Sequence, residues 1–91
     1  MKSINRRKDY FRHEEIYHNG SMMLGLHARA GTQEKRYALF ERINQNGMRS
    51  RCHVIAFMPE FFGWEVNWAS GCYINNISLS DAEDAFWNRI E

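Results

Sequence analysis

The chain lacks the long apolar stretch that a membrane span requires. No run within its 91 residues approaches the roughly 20 apolar residues that cross a bilayer. The basic start, residues 1–8, is not followed by the apolar segment that a secretory signal contains. We therefore expect a single cytoplasmic domain over residues 1–91 with no membrane partner, in which residues 1–9 are candidates for disorder.

Proline and cysteine are scarce as well. A single proline beside 44% hydrophobic residues and many aromatic side chains is typical of an ordered globular protein rather than a disordered tail. The two cysteines are Cys52 and Cys72. Because a reducing compartment is expected without a secretion signal, we interpret both as free thiols unless they bind a metal.

A strong net charge is also missing, but the charges are unevenly distributed. The total is +1, yet residues 1–57 carry eleven Lys and Arg against five acids, and residues 58–91 carry one Arg against six acids. The two parts are therefore +6 and −5. They either attract each other within the fold or present a basic and an acidic face to different partners.

Turn and strand signals predict an α+β fold, with a small antiparallel sheet of three to five strands packed by a C-terminal α-helix. Asn-Gly pairs at 19–20 and 46–47 are typical of hairpin turns or helix ends. Apolar alternation and β-forming residues predict strands over 21–30, 51–58 and 64–69, whereas 33–43 fits a strand or a helix. Alternation places four residues of the first strand on one face: Met22, Leu24, Leu26 and Ala28.

Residues 80–91 predict the C-terminal helix. Ser80 and Glu83 have the spacing of a capping box, in which each side chain bonds the backbone amide of the other residue. An apolar stripe, expected to lie across one face of the sheet, consists of Ala82, Ala85, Phe86 and Ile90, with Trp87 at its margin.

The same end of the chain is similar to a known family. Trp64-Glu65-Val66 leads to Cys72, and Trp87-Asn88-Arg89 follows fifteen residues after that cysteine. This order resembles phage restriction-alleviation proteins of the Lar type, which are small zinc ribbons with two cysteine pairs. The resemblance covers about the last 40 residues and implies a phage or mobile-element accessory protein.

Two of the four cysteines of that family are missing. Cys52 and Cys72 match the first and the last, while Ile55 stands at the second and Asn67 or Trp68 near the third. Because structural zinc sites need four ligands, we expect no metal and no cofactor, and an aromatic core in place of the ion.

Histidines offer a first candidate site. The four histidines show no metal-ligand spacing on one helix, and Cys52 and His53, as strand neighbours, point to opposite faces. Small metal-independent ribonucleases combine His, Arg, Tyr and Glu on a sheet for acid-base chemistry. If the strands pair as predicted, six residues of these types meet on one sheet: His27, Arg29, Tyr37, Glu41, Arg49 and Arg51. The alternative is that they cover the polar face of a one-sided sheet.

Arginines offer a second candidate. Nine of the twelve basic residues are Arg, whose planar side chains grip phosphate, and aromatic residues that could stack on bases lie among them. The nucleic-acid-binding candidates are Arg6, Arg7, Arg12, Arg49 and Arg51. The near-neutral total and the lack of a recognition motif argue against a dedicated nucleic-acid binder.

An aromatic loop offers the third. Aromatic residues flanked by acids have the composition of a protein interface, and the predicted protein-binding residues are Glu60, Phe61, Phe62, Trp64 and Glu65. We therefore favour a small non-enzymatic protein that binds another protein, such as an accessory factor that inhibits a host defence protein. An RNA- or DNA-binding protein and a metal-independent ribonuclease-like toxin are the alternatives.

Overall fold

A computed structural model describes residues 15–59 and 65–91 as a curled, five-stranded antiparallel sheet with a C-terminal helix. Sheet order follows chain order through β1 (Ile16–Asn19), β2 (Met22–Gly31), β3 (Arg36–Ile43), β4 (Arg49–Phe57) and β5 (Asn67–Ile74), and helix α1 (Leu79–Ile90) comes last. The predicted α+β fold is confirmed. The segment 33–43, which fitted a strand or a helix, contains β3, and residues 1–9 lie outside the described part of the chain.

Both Asn-Gly pairs form hairpin turns, as one of the two sequence interpretations predicted. Asn19 pairs with Met22, so the loop between β1 and β2 has two residues, and the first of these, Gly20, has a φ of +64°. Glycine adopts this left-handed conformation without steric cost. In the turn between β3 and β4, Gly47 has a φ of +85° and its amide donates to the carbonyl of Asn44 at 2.9 Å.

The sheet is irregular at three places, and two of them position the candidate site. Leu26 pairs with Phe40 and Ala28 with Leu39, so His27 is an extra residue in β2. The bulge shifts the alternation by one residue. Ala28 therefore packs on the opposite face from Leu26, and the prediction that both share a face is wrong.

Apolar residues form one cluster on each face of the sheet. The sheet cluster contains Tyr17, Leu24, Leu26, Ala38, Phe40, Val54, Ala56 and Met58, with Met22, Val66 and Trp68 packed against it. The helix cluster contains Ala28, Ala30, Leu39, Ile55 and four helical residues, Ala82, Phe86, Trp87 and Ile90. Helix α1 packs on β3 and β4, so it covers one part of one face.

The N-cap of helix α1 lies two residues before the predicted one. The side chain of Ser78, not of Ser80, accepts a hydrogen bond from the amide of Asp81 at 3.1 Å. The predicted apolar stripe is confirmed, and Trp87, expected at its margin, is buried within it. Among residues 15–59 and 65–91, no helix is long and apolar enough to cross a membrane.

Candidate metal centre

Three neighbouring strands bring His27, Glu41 and His53 together on the face of the sheet that carries helix α1. Glu41 and His53 are paired residues of β3 and β4, and their side chains share the face of Leu39 and Ile55. The bulge in β2 places His27 beside them. The Glu41 carboxylate oxygen Oε1 lies 2.9 Å from Nε2 of His27 and 3.6 Å from Nε2 of His53.

The ring nitrogens of His53 are buried and form no hydrogen bond of ordinary geometry, although the backbone of Arg51 and the carboxylate of Glu41 lie close enough to favour its protonated form. Its side chain is 1% exposed, and within the described part of the chain neither ring nitrogen makes a hydrogen bond. The 3.6 Å separation from Glu41 is too long for one. A buried polar group without a partner costs about 1 to 3 kcal/mol, and it commonly marks a bound ion or a functional role. Among the described residues, His53 therefore carries the buried side-chain nitrogens that lack a hydrogen bond, and it faces the carboxylate of Glu41.

Glu41 is held by the backbone of β4. Its second oxygen, Oε2, accepts a 2.7 Å hydrogen bond from the amide of Arg51, which leaves Oε1 facing the two histidines. Between the pairs Glu41–His53 and Ile43–Arg49, β4 uses three residues where β3 uses one. Within this irregular stretch Arg51 has a φ of +64°, a conformation that costs a non-glycine residue about 1 to 2 kcal/mol. The strained residue thus fixes the orientation of Glu41.

The surroundings set the charge of both groups. Burial tends to raise the pKa of Glu41, but hydrogen bonds from His27 and the Arg51 amide, with the nearby His53, outweigh it and lower that pKa. Burial lowers the pKa of His53, although the negative charge of Glu41 opposes this effect. At neutral pH the centre therefore holds a carboxylate and a neutral, buried imidazole, which are the protonation states that metal ions bind.

Arg49 lies at the exposed side of this cluster. Its side chain is 43% exposed, and its Nη1 lies 3.7 Å from Oε1 of Glu41. Gly25, the β2 partner of Glu41, makes room for it, because a Cβ at this position would lie 3.0 Å from the same nitrogen. The missing side chain of Gly25 thus lets a cationic group lie directly beside the buried carboxylate.

The geometry of the three side chains fits one metal ion. Two ligand atoms that bind one ion at about 2.1 Å lie roughly 3.0 to 3.4 Å apart in octahedral or tetrahedral coordination. The two distances to Oε1 of Glu41 bracket this range, and the ligand atoms of all three residues lie within 4.8 Å of one another. The three ligand atoms are therefore close enough for the side chains to converge on a single ion.

The predicted acid-base residues are partly assembled. Three of the six, His27, Glu41 and Arg49, meet at the centre, and Arg51 contributes its amide. The other two lie elsewhere: Arg29 interacts with Tyr17, and Tyr37 packs against Phe57 and under Arg89. His53 is not among these six residues. Its pairing with Glu41 depends on a strand register that sequence spacing does not reveal.

The other predicted sites are less completely described. Two groups of predicted residues lie outside the described part of the chain: Arg6, Arg7 and Arg12 of the nucleic-acid site, and Glu60, Phe61, Phe62 and Trp64 of the protein-binding site. The remaining three, Arg49, Arg51 and Glu65, are exposed. The protein and nucleic-acid interfaces therefore stay predictions. Cys52 and Cys72 are free, and neither belongs to the cluster of His27, Glu41 and His53.

Comparison of the chain with protein-family models, with curated proteins and with solved structures gave no match. The resemblance to restriction-alleviation proteins thus stays a prediction. The indication of function comes from the residues of the centre themselves.

Proposed function

We propose that this protein binds one divalent transition-metal ion through Nε2 of His27, Oε1 of Glu41 and Nε2 of His53. One observation carries the proposal: a fully buried, neutral histidine without a hydrogen-bond partner faces a carboxylate that already contacts a second histidine. An ion at this point would satisfy His53 and would replace the hydrogen bond between His27 and Oε1 of Glu41. The Arg51 amide, bonded to the other oxygen, would hold the carboxylate in place.

The ligand types narrow the choice of ion. Two imidazoles and one carboxylate bind Zn²⁺ in catalytic zinc sites and Fe²⁺ in non-haem iron sites, whereas Mg²⁺ and Ca²⁺ prefer oxygen ligands. Three protein ligands leave coordination positions open for water or a substrate. A centre of this kind therefore supports a metal-dependent binding or hydrolytic function better than a purely structural one.

Metal-independent acid-base catalysis is the second candidate, and the 2.9 Å contact between His27 and Glu41 favours it. In that case His27, 14% exposed, would exchange protons with an RNA substrate near Arg49. This alternative gives His53 no role, because a side chain that is 1% exposed does not reach a substrate. Under the metal proposal the same burial shields the ion from water on one side.

The proposal is tested by metal titration of chelator-treated protein. Zn²⁺ is added in competition with a chromophoric chelator, and Fe²⁺ is added under anaerobic conditions to compare the two ions. We expect one ion per chain. We expect Glu41→Gln and His27→Gln to lower the affinity by more than the roughly 10- to 100-fold that loss of an outer-shell partner costs. Glutamine keeps the size of glutamate and can still accept the Arg51 amide, so the fold should survive.

Matched controls separate this centre from other ligands. His18→Gln removes an exposed histidine of β1, and Cys52→Ser with Cys72→Ser removes both thiols. Affinity should be unchanged in each. Absence of stoichiometric binding, or binding that persists in Glu41→Gln but is lost without the thiols, would sink the proposal. RNA cleavage that survives excess chelator and requires His27 would instead establish the acid-base alternative.

A further inference from the structure

The position of Arg49 at the centre deepens the proposed function, on which this inference rests. Its guanidinium lies beside Glu41 at 3.7 Å, yet it is too far away for a hydrogen bond and remains 43% exposed. A Cβ at position 25 would lie 3.0 Å from its Nη1, so a side chain there would press on the guanidinium. The half-exposed guanidinium therefore lies between solvent and the buried metal ligands, where its hydrogen-bond donors can bind a molecule that enters from solution.

The charges define what that ligand would be. A divalent ion, the carboxylate of Glu41 and the guanidinium of Arg49 give the loaded centre a charge of +2, since histidines bind metal ions in their neutral form. Two cations this close repel each other, and an anion between them relieves the repulsion. A dianion balances the charge, whereas a carboxylate leaves one positive charge uncompensated.

We propose that the loaded centre binds a phosphoryl dianion, with one oxygen on the metal ion and another accepting hydrogen bonds from Arg49. The open coordination positions supply the first contact, and the planar fork of arginine supplies the second. The ligand class is therefore a phosphate monoester or inorganic phosphate. Gly25 contributes by leaving the space in which the guanidinium lies.

The experiment uses protein loaded with one equivalent of Co²⁺, whose visible absorption reports changes in coordination. Inorganic phosphate and phenyl phosphate are the probes, acetate is the comparison anion, and metal-free protein is titrated in parallel. We expect both phosphates to shift the Co²⁺ spectrum at concentrations well below those that acetate requires. Metal-free protein should bind them far more weakly.

Arg49→Gln is expected to retain the Co²⁺ spectrum and to lose phosphate affinity by about 10-fold or more, as expected for a lost hydrogen bond to a charged group. Arg49→Lys, which keeps the charge without the fork, should fall between. Arg42→Gln, an exposed arginine of β3, serves as the matched control and should match the unmodified protein. Equal phosphate affinity in Arg49→Gln, or equal binding by metal-free protein, would overturn the phosphate site while leaving the metal centre intact. Failure to bind Co²⁺ at all would overturn the metal centre first.

Discussion

The two faces of the sheet use the same central strands but bury different chemistry. On one face, the sheet cluster is apolar, and Phe40 contacts both Tyr17 and Trp68 with ring centroids 5.1 Å apart. On the other face, the helix cluster gives way to a polar centre in which His53 is buried without a partner. Both faces exclude water, but only one does so at the cost of an unsatisfied polar group.

The difference arises from strand register. At Leu26, Phe40 and Val54, β2, β3 and β4 pair without interruption, so their side chains pack side by side in the sheet cluster. The extra residue at His27 and the irregular stretch at 50–52 flank the centre. A bulge changes the direction in which the side chains of a strand point. Regular pairing thus builds the core, and the two irregularities build the candidate site.

Truncation of Phe40 should have the largest effect of the changes considered. Its side chain is fully buried between two aromatic rings, so Phe40→Ala removes buried apolar surface and leaves a cavity. We expect the free energy of unfolding to fall by about 3 to 5 kcal/mol, measured by urea denaturation. This change tests whether the sheet cluster, rather than the polar centre, supplies most of the free energy of unfolding.

The matched control is Met48→Ala, in the turn between β3 and β4, where the side chain is 62% exposed. Its effect should stay within about 0.5 kcal/mol, as for most surface substitutions. A loss below about 1 kcal/mol for Phe40→Ala would mean that the sheet cluster is not a packed core, and the contrast between the faces would disappear.

Metal binding should satisfy the polar groups buried on the face that carries α1 and so stabilise the folded chain. An ion that binds only the folded chain stabilises it by about 2.7 kcal/mol when its free concentration is 100 times the dissociation constant. We therefore expect Zn²⁺ to raise the urea midpoint of the unmodified protein but not that of Glu41→Gln. Equal stabilisation of the two proteins would place the ion away from Glu41 and contradict the assignment.

Much of the fold follows from local signals in the sequence. The two Asn-Gly pairs mark turns because glycine tolerates positive φ, and the β-rich run before Pro59 marks β4. The segment of β3 was ambiguous, since its residues satisfy both a period of two and a helical face. Tertiary pairing with β2 and β4 decided between them.

The centre was only partly predictable for a related reason. Composition and expected strand pairing grouped His27, Glu41 and Arg49, and these do meet. His53 is absent from that group, because its position beside Glu41 depends on the register between β3 and β4. No local pattern encodes the bulge at His27 either, since one extra residue changes which face every later side chain of β2 occupies.

The helix cap offers the smallest and most discriminating comparison, because the sequence pattern and the structure select different serines. Ser78 accepts the amide of Asp81, whereas Ser80 lies exposed within the first turn. We expect Ser78→Ala to lower the free energy of unfolding by about 1 kcal/mol, the usual effect of losing an N-cap. Ser80→Ala should leave it nearly unchanged, since alanine is a good helix former. Urea denaturation of the pair measures both effects, and the opposite ranking would restore Ser80 as the cap. Because none of the three proposed metal ligands lies in α1, neither substitution should change Zn²⁺ affinity, and a change would show that the helix and the centre are coupled.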